Sequence, residues 1–396
     1  MQLQMASNHQ SLPRVVIMLS IVSLLNDAAS EMITPLLPLV VASTLGGGPL
    51  VVSLIEGLAE ATSSLLKLAS GWVADRGWSH RRLLLGGYLL SNVTRPLIGF
   101  AGSWPTVMGL RFFDRAGKGI RTSPRDAVIA GAVPAEQRGR AFGFHRAMDH
   151  TGAVVGPLLV WPLLAAGVPI QHVFLASALP GLLVMLMLWF GVPTMKIVVP
   201  AAVAWPRWSS IDRSLRGLIV AAAALTVSTL PEALLVLWVN RVGGIDITRI
   251  PLLWAAAHVI KVCFAYSAGM VSDRVGRLPV VIGGWTARVV VMICIAFGAH
   301  GVFAGIALFL IYAGALACTE AAERALVGDF APVDQRGTAF GTYHFVCGLL
   351  ALPSAALFGW LWESAGVAAA FAVAAFGTAF AACVLVVMTR RQASHN

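Results

Sequence analysis

Apolar residues dominate this chain in long runs, and polar residues gather in short clusters between them. Each run is about 20 residues or longer, enough to cross the hydrocarbon core of a bilayer as a helix rising 1.5 Å per residue. Twelve spans are predicted, at 14–42, 50–73, 82–102, 105–131, 139–166, 170–191, 214–240, 250–271, 279–299, 301–327, 338–362 and 366–388. Connections such as Gly46-Gly47-Gly48-Pro49 and Gly102-Ser103-Trp104-Pro105 are too short for anything but antiparallel neighbours. The first run is expected to remain in the mature chain. It carries Asp27 and Glu31, and no small-residue cleavage pattern follows a short apolar core.

The fourth span departs from the apolar pattern. Residues 111–126 read RFFDRAGKGIRTSPRD, and Arg111, Asp114, Arg115, Lys118, Arg121 and Arg125 recur at steps of three or four. Such steps place side chains on one helix face. Lipid does not accept a charged stripe, so this face is predicted to meet protein or a water-filled cavity.

Composition agrees with an all-α integral membrane protein: 58% of the 396 residues are hydrophobic and 12% charged. The net charge of +10 is explained by placement rather than by nucleic acid. Arg76, Arg81, Arg82, Arg138, Lys196, Arg207, Arg213, Arg274, Arg277 and Arg336, with Arg390 and Arg391 in the tail, all fall on one set of loops. The opposite set has little beyond Arg241 and Arg249. Basic loops stay cytoplasmic, so both termini are expected inside the plasma membrane (the inner membrane of a Gram-negative cell). That parity needs an even number of spans. The five cysteines all lie inside spans and read as packing residues.

The longest connection, with Pro193, Pro200 and Pro206, divides the chain into an N-terminal bundle at 1–191, a linker at 192–213 and a C-terminal bundle at 214–396. The bundles repeat one another. Gly71-Trp-Val-Ala-Asp75-Arg76 matches Gly269-Met-Val-Ser-Asp273-Arg274, and Pro134-Ala-Glu-Gln-Arg-Gly matches Pro332-Val-Asp-Gln-Arg-Gly, both at an offset of 198 residues. Parallel repeats of six helices around a midplane site are a transporter architecture.

These features resemble the major facilitator superfamily over nearly the whole chain. Its motif between spans two and three, G-x-x-x-D-R-x-G-R, is met by Gly71, Asp75 and Arg76, and more fully by Gly269, Asp273, Arg274, Gly276 and Arg277. Pro35-Leu-Leu-Pro38 matches the P-x-x-P of the first helix, and Arg115-Ala-Gly-Lys118-Gly119 the R-x-x-x-G of the fourth. Gly152-Ala-Val-Val-Gly156-Pro157 matches the fifth-helix motif of exporters and antiporters, with Val160 and Trp161 in place of its last two glycines. The resemblance implies two six-helix bundles and alternating access. It also implies a cytoplasmic latch of Asp75, Arg76 and Asp126 in the first half and Asp273, Arg274, Glu323 and Arg324 in the second. Small residues and a proline in span five suit close packing and bending at the interface between halves.

Depth along the helices selects the coupling candidates. Asp149, Glu60, Arg115 and Asp27 come to a common level from four spans. An acid near an arginine is held ionised, and withdrawal of the arginine lets it take up a proton. The order of candidates for proton coupling is Asp149, Asp27, Glu60, then Glu31 and Asp114. Arg111, Lys118, His145, Arg146, Lys261 and Arg288 are cavity candidates, with Glu232, His258, Glu320 and His344 as further polar positions of the second half. His145 and Asp149 share a face at i and i+4, a spacing read as a proton relay rather than as metal ligation.

The expectation is a monomeric secondary active transporter, with protons and a small polar or anionic cargo such as a siderophore, organic acid or drug as its partners. It needs no cofactor and no metal. Proton-coupled efflux is the leading reading and proton-coupled import the alternative. A membrane-embedded transferase is remote, because the chain has neither an activated nucleophile nor a Walker loop or HExxH motif.

Overall fold

The computed structural model describes residues 12–134, 137–191, 213–330 and 336–393. Among them there are helices and turns and no strand. A bilayer leaves a spanning segment no water to bond its backbone, and a helix satisfies those groups internally. The first half comprises α1 (Arg14–Glu31), α2 (Leu37–Ser43), α3 (Pro49–Asp75), α4 (His80–Leu97), α5 (Trp104–Gly131), α6 (Arg138–Ala165), α7 (Ile170–Ala176) and α8 (Ala178–Gly191). The second comprises α9 (Arg213–Ser228), α10 (Glu232–Arg241), α11 (Ile250–Val275), α12 (Arg277–Ala296), α13 (Val302–Phe330) and α14 (Arg336–Ala393).

These fourteen helices make the twelve spans. The first span is α1 and α2, interrupted around Pro35, and the seventh is α9 and α10, interrupted before Pro231. Proline removes a backbone donor and crowds the preceding turn, so each helix breaks there. The sixth span breaks at Ser177. Spans eleven and twelve run together as α14 and are separated by Gly366, whose φ of 87° and ψ of 174° only glycine adopts readily. Of the predicted linker, residues 192–212 lie outside the described residues.

Packing repeats the internal duplication. In the first half α1 packs on α6, α3 on α5, and α4 on α5; in the second α9 packs on α14, α11 on α13, and α12 on α13. Across the halves α3 meets α14 and α6 meets α11, which are equivalent pairs under the repeat. Apolar side chains are shared unevenly along the molecule. At the end away from the basic loops, one cluster joins both halves, from Leu36, Val52 and Val173 to Trp238, Trp254, Phe358 and Phe371. At the basic end, Val16, Leu84, Tyr88 and Leu188 form one cluster, and Leu218, Val281, Trp285 and Leu385 form another. Among the described residues the halves are therefore closed together at the far end and separate at the basic end.

Closure at the far end rests on a seam between α3 and the first part of α14. A Cβ on Gly57 would lie 2.5 Å from that of Ala355, and one on Gly359 would lie 2.6 Å from the Cα of Leu50. Backbone meets backbone here, and no flexible side chain can yield. Gly57→Leu is expected to lose about 1–3 kcal/mol by overpacking, read as a lower Tm in detergent. Gly86→Ala in α4, whose Cβ would meet nothing within 4 Å, is expected to keep or raise the Tm.

Candidate functional site

Between the halves lies a cavity of about 570 Å³, a volume suited to a small organic molecule. Its floor is Thr34, Pro38 and Val236 near the breaks of the first and seventh spans, and its walls run along α3 and α14 past Ser64, Lys67, Tyr343 and His344. It opens toward the basic end, where the apolar clusters part.

The charged stripe of α5 is buried behind the first-half wall. Asp114 is 1% exposed and faces three arginines: Arg95 Nε at 2.7 Å, Arg111 Nη1 at 3.4 Å and Arg115 Nε at 3.7 Å. Arg111 also donates to Glu56 at 3.1 Å, and Arg95 donates to the backbone and side-chain oxygens of Asn26, both at 3.1 Å. Arg121 donates to Ser91 at 2.7 Å and lies over the Tyr88 ring. Arg125 grips Asp126 at 2.9 Å and Ser23 at 3.2 Å. One helix thus supplies the charges, and its neighbours supply partners for them. This outcome is required where an unpaired ion costs several kcal/mol.

The remaining coupling candidates are dispersed. Glu31, Glu60 and Arg115 line the cavity. Glu31 accepts the indole N–H of Trp254, on the other half, at 2.9 Å, and Glu60 accepts from Ser64 at 3.3 Å. Asp149 sits outside the lining, 3.6 Å from His145 Nε2 and 3.7 Å from Arg146 Nη1. Asp27 accepts from Asn26 at 3.2 Å. The common level expected for Asp149, Asp27, Glu60 and Arg115 is therefore not one ion cluster. Arg115 is engaged by Asp114, its chain neighbour, and Asp149 by residues of its own helix.

Among the cavity candidates, Arg111 reaches the lining. Lys118 is half-buried within electrostatic reach of Asp27 and Glu60. His145 is buried beside Ser20 at 3.3 Å, and the side chain of Arg146 is 53% exposed. In the second half Lys261 is 2.9 Å from Glu232 and 5.7 Å from the Trp254 ring. Arg288 stands behind the wall, donating to Thr229 at 3.0 Å with Tyr312 beside it. His258 borders both the main cavity and a hollow of about 10 Å³, and neither of its ring nitrogens has a hydrogen-bond partner among the described residues.

The predicted latch is described only in part. The side chains of Asp75, Asp273 and Arg324 lie outside the described residues. Arg76 stacks on Trp72, 3.2 Å from its ring centroid, Asp126 is held by Arg125, and Arg274 is exposed. Gly71 packs on Ser123 of α5. Glu323 is in the cavity wall, accepting from Trp285 at 2.7 Å and Tyr343 at 3.5 Å within its own half. The fifth helix meets α11 at the interface between the halves, but the glycines of its motif face α1. Gly152 and Gly156 press on the backbone of Leu24 and Ala28 in α1, inside the first half, and Pro157 is buried within an unbroken α6.

Sequence reasoning missed Arg95, Glu56, Asn26 and Asn92. Arg95 precedes a proline at the end of a span, where it reads as an interfacial anchor. The signal available for Glu56 was its i, i+4 spacing to Glu60. Asp114→Asn is expected to cost about 3–5 kcal/mol by stranding buried arginines and to lose most folded protein in fluorescence size-exclusion chromatography. Glu56→Gln is expected to survive, because Glu56 is 26% exposed and Arg111 keeps Asp114.

Known proteins place the chain in a family. The model of the Major Facilitator Superfamily matches residues 19–256. An uncharacterized MFS-type transporter of Methanocaldococcus jannaschii is 30% identical over 367 residues, 90% of each chain. An uncharacterized protein of Mycobacterium tuberculosis is 28% identical over 360 residues, 88% of this chain and 87% of its own. Among solved structures, a bacterial homologue of the human lysosomal transporter Spinster, in an inward-facing and occupied conformation, superposes with a TM-score of 0.76 at 16% identity, covering 95% of this chain and 96% of its own. A POT family transporter with a bound thioalcohol-conjugated peptide gives 0.79 at 12% identity, covering 96% of each chain. With its duplicated helices and central cavity, the chain belongs to the major facilitator superfamily and is a multi-pass secondary transporter of small molecules.

Proposed function

We propose that the protein is a proton-coupled antiporter that exports a small polar molecule across the plasma membrane, with both termini and the basic loops cytoplasmic. On this orientation the cavity stands open to the cytoplasm, ready to receive cargo from inside the cell. The bundles at 1–191 and 214–396 then act as the two moving bodies.

The observation that carries the coupling is the position of Glu31. Its carboxylate lines the cavity, and the hydrogen bond it accepts comes from Trp254 of the opposite half. Opening the far end must draw Trp254 away from Glu31. A carboxylate that has a donor in one state and lacks it in the other binds its proton unequally in the two. By linkage its protonation then biases the equilibrium between them. Asp149, with partners on its own helix, and Asp114, locked among arginines, do not change partners in this way.

Import by proton symport is the second reading, favoured by Val160 and Trp161 where the exporter motif has glycines. Proteoliposomes with an internal pH dye separate the two readings by the sign of the pH change when cargo is added to one face. Glu31→Gln is expected to abolish cargo-dependent proton flux while cargo exchange persists. Asp149→Asn is expected to retain flux. Flux that survives in Glu31→Gln and vanishes in Asp149→Asn would return the coupling role to Asp149.

A further inference from the structure

The helix on the first-half side of the far-end seam begins without a cap of its own. α3 opens on Gly46-Gly47-Gly48-Pro49, and Gly48, at the N-cap, has no side chain to bond the amides of the first turn. An N-cap residue ordinarily supplies an oxygen for one of those donors. Here the oxygen comes from the other half. Glu363 of α14, 313 residues from Leu50 in the chain, accepts the Leu50 backbone N–H at 3.0 Å. Gly48 admits it: the nearest heavy atoms that a Cβ there would meet, Oε1, Cδ and Cγ, all belong to Glu363.

The carboxylate exchanges a poor setting for a good one. Glu363 lies just before the break at Gly366, in the last turn of span eleven, where the carbonyl end of a helix disfavours an anion. The N-terminus of α3 favours one, and only the closed far end brings the two together. One turn back along α14, a Cβ on Gly359 would press on Leu50 and Ser53, and Phe358 and Trp362 belong to the apolar cluster shared by the halves. Glu363 itself is exposed. The bond therefore stands at the aqueous rim of the seam, where water takes over both groups once the halves part. A contact present in one state and absent from the other shifts the balance between them.

We propose that Glu363 is a far-end latch: a cap supplied by the second half to a helix of the first, which holds the transporter in the state open at the basic end. The inference concerns the balance between the two states alone. It rests on neither the coupling ion nor the direction of transport, so its failure and the failure of the antiport reading are separate results.

The test uses Cys347, a native thiol in the cavity lining. The full chain is placed in sealed vesicles, a membrane-impermeant methanethiosulfonate is added at one face at a time, and labelling of Cys347 is located by peptide mass spectrometry. No cargo and no gradient are applied. Glu363→Ala is expected to raise labelling from the far end about fivefold, the scale of losing an N-cap, without raising it from the basic end. Glu363→Gln keeps an accepting oxygen and loses the charge, and is expected to raise it about twofold. Gly48→Ala displaces the carboxylate and is expected to match Glu363→Ala. Combined with Glu363→Ala it is expected to add nothing, because its methyl group then meets no carboxylate. A seam that was merely loosened would respond additively and admit the reagent at both ends. Far-end labelling unchanged in Glu363→Ala and Gly48→Ala, additive effects of the two, or equal increases at both faces would overturn the proposal.

Discussion

Asp114 and the three guanidiniums around it govern how the first half is built. None of the four charges could stand alone at that depth, because an unpaired ion in hydrocarbon costs several kcal/mol. Each is therefore acceptable only while the others stay in place. The set does not stop at α5. Arg95 brings in α4 and, through Asn26, α1, and Arg111 brings in α3 through Glu56. Four helices share one electrostatic unit, and moving any of them alone would expose a charge. Charge thus ties α1, α3, α4 and α5 into one body.

The contacts between the halves are of another kind. Those among the described residues include apolar packing, the glycine seam of α3 on α14, and hydrogen bonds from neutral donors to carboxylates. Trp254 donates to Glu31, and the backbone N–H of Leu50 donates to Glu363 at 3.0 Å. Gly48 makes room for the Glu363 carboxylate, since a Cβ there would collide with it. Breaking such a bond exposes a neutral N–H and a carboxylate to entering water, which can solvate both. Breaking the Asp114 set would expose buried ions to an apolar wall. The molecule thus yields between its halves before it yields within the first.

Sequence revealed the parts of this design that are written in period and composition. Spans of about 20 apolar residues, the stripe on α5 and the offset of 198 residues between repeats are visible without a structure because helix geometry and lipid dictate them. Partners on other helices were not visible. Asp149 and Arg115 lie at similar depth, yet depth along a helix fixes one coordinate out of three, and Asp149 sits by Arg146 and by His145, the partner its i, i+4 spacing offered. Arg95 was hidden by its place beside Pro96, where an arginine ordinarily reaches for the interface. Gly152 and Gly156 were legible as a close approach, but a glycine does not say which helix it admits, and here it is α1. Glu31 ranked low because nothing in the sequence announces a tryptophan 223 residues away as its donor.

Duplication gives the interface its two matched seams. If α3 closes on α14 at the far end, the repeat supplies the equivalent pair, α11 and α6, already in contact. Parallel repeats are related by an axis along the membrane normal, so the two seams are matched in depth and the halves meet along both of them, one on each side of the cavity. Where two states are nearly balanced, a difference of a few kcal/mol in what each binds is enough to move the population from one to the other. On the proposed reading, Glu31 exchanging its donor for water and a cargo touching both walls would each provide a term of that size. Neither would suffice against a half that deformed internally. The buried charge set in α5 would then serve the motion without taking part in it: by holding α1, α3, α4 and α5 together, it would confine the small free energies of proton and cargo to the interface where they can act.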